Sequence, residues 1–174
     1  MPDASQLLDE GISLAARGQF DEAIGRLEEA ARLGSEGIGA YVHLGRAYFR
    51  LHRMGEALTA FESAVRLNPN SAAAHKWLGA TLLVCERARE AVVELETAVR
   101  LDPEVASTYL GLSAAYAAVG RPNEAGRALK KAKRLNPEIG SDAAEMVLRV
   151  GEGTERLRAW AEAWWRQAGY TSYA

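Results

Sequence analysis

The sequence predicts an all-α fold, a solenoid of stacked helix pairs, and three observations carry that prediction. The first is a fixed period. Ala64-Val65-Arg66-Leu67-Asn68-Pro69 returns as Ala98-Val99-Arg100-Leu101-Asp102-Pro103 and as Ala132-Lys133-Arg134-Leu135-Asn136-Pro137. Ala30-Ala31-Arg32-Leu33-Gly34-Ser35 stands one period upstream. A repeat of this length is one helix pair that cannot bury its apolar face alone and must stack on its neighbours. The second observation is that small and large residues recur in register within each repeat. The third is that apolar residues return at helical rather than alternating spacing in both halves of every repeat.

Taken in order, the repeats are residues 4–37, 38–71, 72–105 and 106–139. In the first, Gly11, Ala23 and Ala30 are the small positions and Leu14 and Leu27 the large ones, with Arg17-Gly18 breaking the two halves. The second has Gly45, Ala57 and Ala64 beside Tyr48 and Phe61, and closes on Asn68-Pro69. In the third, Gly79, Ala91 and Ala98 accompany Leu82 and Leu95 before Asp102-Pro103. The fourth has Ser113, Ala125 and Ala132 with Tyr116 and Leu129, broken by Gly120-Arg121-Pro122 and closed by Asn136-Pro137. Small side chains let the two helices of a pair approach to the lower end of the usual separation of roughly 8–10 Å. Proline disfavours helical geometry in the residue before it, so each closing Asn-Pro or Asp-Pro stops a helix.

The remaining residues, 140–174, predict a capping pair, a degenerate fifth repeat. Ser141 to Val150 reads as one helix capped by Ser141 or Asp142, and Thr154 as the N-cap of a second reaching Ala168 before Gly169. A solenoid end needs such a cap. The second helix carries Trp160, Trp164 and Trp165, three of the four tryptophans of the chain. Leu157, Trp160, Ala161, Trp164 and Ala168 form one stripe, with Trp165 off its edge. That aromatic surplus makes this end a second candidate interface, for a homo-oligomer or a larger partner.

The small-and-large pattern over residues 4–139 resembles the tetratricopeptide repeat family. The family's frequent fourth-place tryptophan is replaced by Leu7, Tyr41, His75 and Tyr109. The resemblance implies a right-handed superhelix of antiparallel pairs in a single domain, 1–174. Its first helices would cover 5–17, 39–52, 73–86 and 107–119 and line a concave groove. The family's groove places fall on Leu8, Ile12, Val42, His43, Arg46, Phe49, Arg50, Lys76, Trp77, Ala80, Leu83, Leu110 and Ala114. The family's two-carboxylate clamp for chaperone tails needs lysines, asparagines and an arginine. One frame offers Leu8, Ile12, His43, Ala73 and Trp77, the other Val42, Arg46, Trp77, Ser107 and Gly111, so that ligand is excluded.

Composition bounds the remaining function classes. The chain has 174 residues, 48% of them apolar, and a formal charge of −2, with no global reason to expect nucleic acid or anionic membrane. Residues 1–37 carry three basic and eight acidic groups, whereas residues 106–139 carry six and two. The cations Arg127, Lys130, Lys131, Lys133 and Arg134 read as a solvated helix face, because stacking aromatics for single-stranded nucleic acid are missing among them. One cysteine, Cys85, forms no internal disulfide and suits a reducing compartment. No apolar run is long enough to span a membrane, and Met1-Pro2-Asp3-Ala4-Ser5 lacks secretory character. A cytoplasmic location is therefore expected, and seventeen arginines against four lysines point to a bacterial source. His43, His52 and His75 do not pair at metal-ligand spacing, and Gly151-Glu152-Gly153 lacks the lysine and the strand of a phosphate loop. No cofactor, metal or catalytic residue is expected. The reading is a protein-binding scaffold or adaptor that holds an apolar or amphipathic segment in its groove. The alternative is a structural subunit docking through Trp160, Trp164 and Trp165.

Overall fold

A computed structural model describes residues 2–34 and 37–139. It contains eight α-helices among the described residues: α1 (Ala4–Ala16), α2 (Phe20–Arg32), α3 (Ile38–Arg50), α4 (Met54–Leu67), α5 (Ala72–Val84), α6 (Ala88–Leu101), α7 (Ala106–Ala118) and α8 (Pro122–Leu135). Each repeat contributes one pair, as the all-α repeat pattern predicts. The predicted capping helices at 141–150 and 154–168, with Trp160, Trp164 and Trp165, lie outside the described residues.

The two helices of each pair are joined by the same device. The fifteenth residue of every repeat is left-handed, with φ +77° at Gly18, +58° at His52, +62° at Glu86 and +75° at Gly120. The N–H of the next residue donates back to the carbonyl five positions earlier: Gln19 to Leu14, Arg53 to Tyr48, Arg87 to Leu82 and Arg121 to Tyr116, at 2.8–3.0 Å. This closure satisfies carbonyls that a helix end leaves without partners. The same sixteenth residue then reaches into the first turn of the second helix. Gln19 donates to Glu22, Arg53 to Glu56, Arg87 to Glu90 and Arg121 to Glu124. Each glutamate sits where the helix N-terminus favours negative charge.

Repeats close in an equally uniform way. Asn68, Asp102 and Asn136 are extended, with φ −141°, −142° and −139°, as a residue before proline must be. Their side-chain oxygens accept from the N–H two residues on, at Asn70, Glu104 and Glu138. The Asn-Pro signature is thus a helix stop and a turn in one.

Described residues fall into two compact units, one ending at Trp77 and the other beginning at Leu78, with the division inside α5. In the first unit the core is built on Leu7, Leu27 and Phe61, all fully buried. Leu7 of α1, Ala30 of α2 and Ala40 of α3 form a cluster against which Leu8 and Ala31 pack. Gly45 faces the Phe61 ring so closely that an added methyl would lie 2.6 Å from it. In the second unit Gly79 plays the same part against Leu95. There Ser113 replaces glycine, and its hydroxyl donates to the Ala125 carbonyl at 2.8 Å.

Candidate functional site

Residues predicted to line the groove all belong to first helices, and the structure grades them by depth. In the first unit Arg50 is exposed, Leu8, Ile12, Val42 and His43 are half-buried, and Arg46, Phe49, Lys76 and Trp77 are buried. Trp77, at the end of the first unit, is 1% exposed. Its indole stacks on Phe61 of α4, with ring centroids 6.0 Å apart and planes 8° from parallel. Two cations gather at the same indole: the Arg46 guanidinium 5.6 Å and the Lys76 ammonium 5.5 Å from its centroid. Such pairs strengthen when the charge is removed from water. Arg50, one turn beyond Arg46, lies over Phe20 of α2 at 5.3 Å.

His43 completes this face. Arg46 Nη1 lies 3.3 Å from His43 Nδ1, and arginine can only donate, so Nδ1 accepts and the ring proton sits on Nε2. Burial first, and the Arg46 charge second, push the His43 pKa down to about 4. At neutral pH the face therefore presents a neutral imidazole beside fixed guanidinium charge. His75 plays a different part. Its Nε2 is 2.9 Å from the Pro69 carbonyl, tying α5 to the closing turn of the repeat before it.

In the second unit the predicted groove residues Ala80, Leu83, Leu110 and Ala114 are all buried. Leu83 and Leu110 are among its largest fully buried side chains.

Sequence reasoning missed the outer side of α3. Tyr48 donates to Glu28 of α2 at 2.5 Å, and Tyr116 of α7 donates to Glu96 of α6 at 2.8 Å. Arg53 lies over Tyr48 at 4.7 Å and Arg121 over Tyr116 at 4.5 Å. Burial first, then the glutamate hydrogen bond, raise both tyrosines to about 12, so each hydroxyl stays a donor. The signal was in the sequence: Glu28 and Tyr48 return together as Glu96 and Tyr116, two repeats on. Next to Tyr48 an outer crevice of about 570 Å³ opens among Glu28, Ala31, Arg32, Tyr41, Leu44, Gly55, Glu56, Thr59, Ala60 and Ser63.

Among the described residues no group of histidine, cysteine and carboxylate side chains could hold a metal, and no helix is long and apolar enough to cross a membrane. Cys85 is half-buried, and burial raises its thiol pKa. Of the cations on α8, Arg127, Lys130, Lys133 and Arg134 are exposed, while Lys131 is half-buried.

Family models described as tetratricopeptide repeat match residues 8–72, 42–88 and 106–139. The chain belongs to the tetratricopeptide repeat family. Comparison with curated proteins gives no match. Solved structures that resemble this tetratricopeptide repeat chain include YrrB, described as having an unusual peptide-binding site, at 25% identity and TM-score 0.70, covering 82% of this chain and 72% of that one. A thermophilic tetratricopeptide repeat protein of Thermus thermophilus, TTC0263, is 24% identical with TM-score 0.70 and covers 98% of both chains. MamA is 22% identical with TM-score 0.73, covering 95% of this chain and 89% of that one. The latter two likenesses speak for the fold. Tetratricopeptide repeats are in general non-catalytic protein-interaction scaffolds, which places this chain in the protein-binding class.

Proposed function

We propose that the chain is a non-catalytic adaptor that holds an apolar or amphipathic segment of another protein on the face made by α1, α3 and the start of α5. One observation carries this reading. Arg46 and Lys76 converge on buried Trp77, and the first helices that carry this floor also bear half-buried Ile12, Val42 and His43 and exposed Arg50. Apolar surface with fixed positive charge suits a helix or extended segment bearing a few apolar anchors and an acidic residue. Aromatic and arginine side chains are the ones that dominate binding energy at interfaces. YrrB, with its peptide-binding site, offers a precedent within the repeat class.

The test is selection of displayed random peptides on the wild-type chain, followed by affinity measurement on Arg50→Glu with His43→Glu. The expected peptides combine bulky apolar residues with Asp or Glu and bind the double variant at least about tenfold more weakly, because it removes the Arg50 charge and sets two carboxylates against an acidic peptide. Peptides that bind both proteins equally refute the reading. Peptides lost instead from a chain ending at Glu152 would move the interface to Trp160, Trp164 and Trp165.

A further inference from the structure

The outer crevice beside Tyr48 has a counterpart inside the same chain, and the difference between the two identifies a ligand. Two repeats separate them, so residues correspond at a spacing of 68. Tyr41, Leu44, Tyr48, Glu28 and Glu56 correspond to Tyr109, Leu112, Tyr116, Glu96 and Glu124. In the second unit Lys131 reaches one of these groups, Tyr109, and a carboxylate outside the set, Glu104. Its ammonium is 5.7 Å from the Tyr109 ring centroid and 3.3 Å from a Glu104 carboxylate oxygen. In the first unit the residue corresponding to Lys131 is Ser63, and the one corresponding to Arg127 is Thr59. Both line the crevice of about 570 Å³. Where one copy holds a lysine, the other holds a space.

We propose that this outer crevice receives a lysine side chain from a partner protein. The alkyl stem would lie on Ala31, Leu44 and Ala60, as lysine stems commonly cover apolar surface, and the ammonium would meet Tyr41 and the Glu28 carboxylate. Charge favours this occupant. Glu28 and Glu56 line the crevice, Glu56 being paired with Arg53. Arg32 is 3.7 Å from Glu29 on its own helix, and Arg66 reaches the crevice only at Ser63, donating to its hydroxyl at 2.9 Å. Glu28 receives the Tyr48 hydroxyl on one oxygen, and a carboxylate has further acceptor sites to offer an ammonium. Glu28, Ala31 and Arg32 of this lining come from the first repeat, the most acidic stretch of the chain, and the rest come from the second. This site lies on the face of α3 away from His43, Arg46 and Arg50, so it is separate from the binding face proposed above.

Its test is an NMR titration of the full chain with Nα-acetyl-lysine methylamide, using the norleucine and glutamine analogues as controls. Saturable shifts are expected at Tyr41, Tyr48 and Ala60 with the lysine compound, and at least about fivefold weaker binding for norleucine, which keeps most of the stem without the charge. Ser63→Lys, which copies the second unit, should abolish the shifts, and Glu28→Gln should weaken them. Glu28→Gln keeps an acceptor for Tyr48 and serves if Ser63→Lys does not fold. Lys131→Ser with Arg127→Thr should open the second crevice and raise the stoichiometry from one to two. His43→Glu with Arg50→Glu should leave this titration unchanged whatever it does to peptide binding. Equal binding of norleucine, shifts that persist in folded Ser63→Lys, or failure of Glu28→Gln to weaken binding would each overturn the assignment.

Discussion

Replacing Gly45 by alanine should destabilise the first unit, although alanine is the better helix former. An added methyl at Gly45 would lie 2.6 Å from Phe61 Cε1 and 2.7 Å from Cδ1 and Cζ. No rotation of an aromatic ring about its own axis relieves three such contacts, so the ring or the helix must move. Phe61 in turn stacks on Trp77, so that ring is held on its other side as well. Overpacking of this kind costs about 1–3 kcal/mol, toward its upper end here because the blocking group is rigid. Glycine's helix penalty of about 1 kcal/mol is recovered, leaving a net loss of about 2 kcal/mol. Gly25 and Gly126 supply the control. Both are helical, exposed, and have nothing within 4 Å of an added methyl, so alanine there should stabilise by about 0.5–1 kcal/mol. Urea unfolding followed by far-UV circular dichroism measures all three variants. The reasoning fails if Gly45→Ala matches wild type, or if Gly126→Ala loses as much as Gly45→Ala.

Glu86→Gly should raise stability by about 0.5–1 kcal/mol, because a left-handed non-glycine residue costs roughly 1–2 kcal/mol and glycine recovers most of it; thermal melts decide, and a lower midpoint contradicts it. Ser113→Ala should cost about 1 kcal/mol by removing the buried hydrogen bond to the Ala125 carbonyl, measured by the same unfolding curves. The chain should lose stability as pH falls from about 6.5 to about 4, since across that window the unfolded state protonates His43 and the folded state does not. The loss attributable to this group is at most about 3 kcal/mol, and His43→Gln should flatten that part of the pH profile of the unfolding midpoint. An unchanged profile in His43→Gln would show that other groups set the acid sensitivity.

The regular parts of the fold were legible because each rests on a local rule. Asn68-Pro69 and its two repetitions announce their stops, and the small residues at Gly11, Gly45 and Gly79 announce close helix approach. The repeat pattern carries two helices too far, to His52 and Glu86, where the structure ends α3 at Arg50 and α5 at Val84. The other two turns carry glycine at the left-handed position, Gly18 and Gly120. At His52 and Glu86 the backbone adopts the same conformation without that marker, because the helix-closing hydrogen bonds impose it. The binding face was legible in residue type but not in depth. Nothing in the string Lys76-Trp77 shows that the indole is packed on Phe61, sixteen residues away, or that Arg46 is buried beside it. Burial of a cation is a property of the assembled neighbours, and these come from separate repeats.

If the outer crevice takes a partner's lysine as proposed, the crevice and the corresponding positions of the second unit illustrate how a repeat architecture acquires separate functions with few changes. A solenoid is held by contacts between adjacent repeats, and at one buried position Ser63, bonded to Thr59 and Arg66, stands where the second unit carries half-buried Lys131. The tyrosine–glutamate pairs Tyr48 with Glu28 and Tyr116 with Glu96, each beneath an arginine, recur two repeats apart and not at the intervening positions, where Leu14 and Leu82 stand. At these positions the chain therefore repeats in blocks of two units rather than unit by unit. Within that framework Ser63 and Lys131 occupy the same place, and Lys131 directs its charge internally to Tyr109 and Glu104. The block without that lysine keeps the aromatic wall and the carboxylate but leaves them to be met from outside. On the proposal above, a single side chain decides whether the same scaffold fills the crevice itself or offers it to a partner.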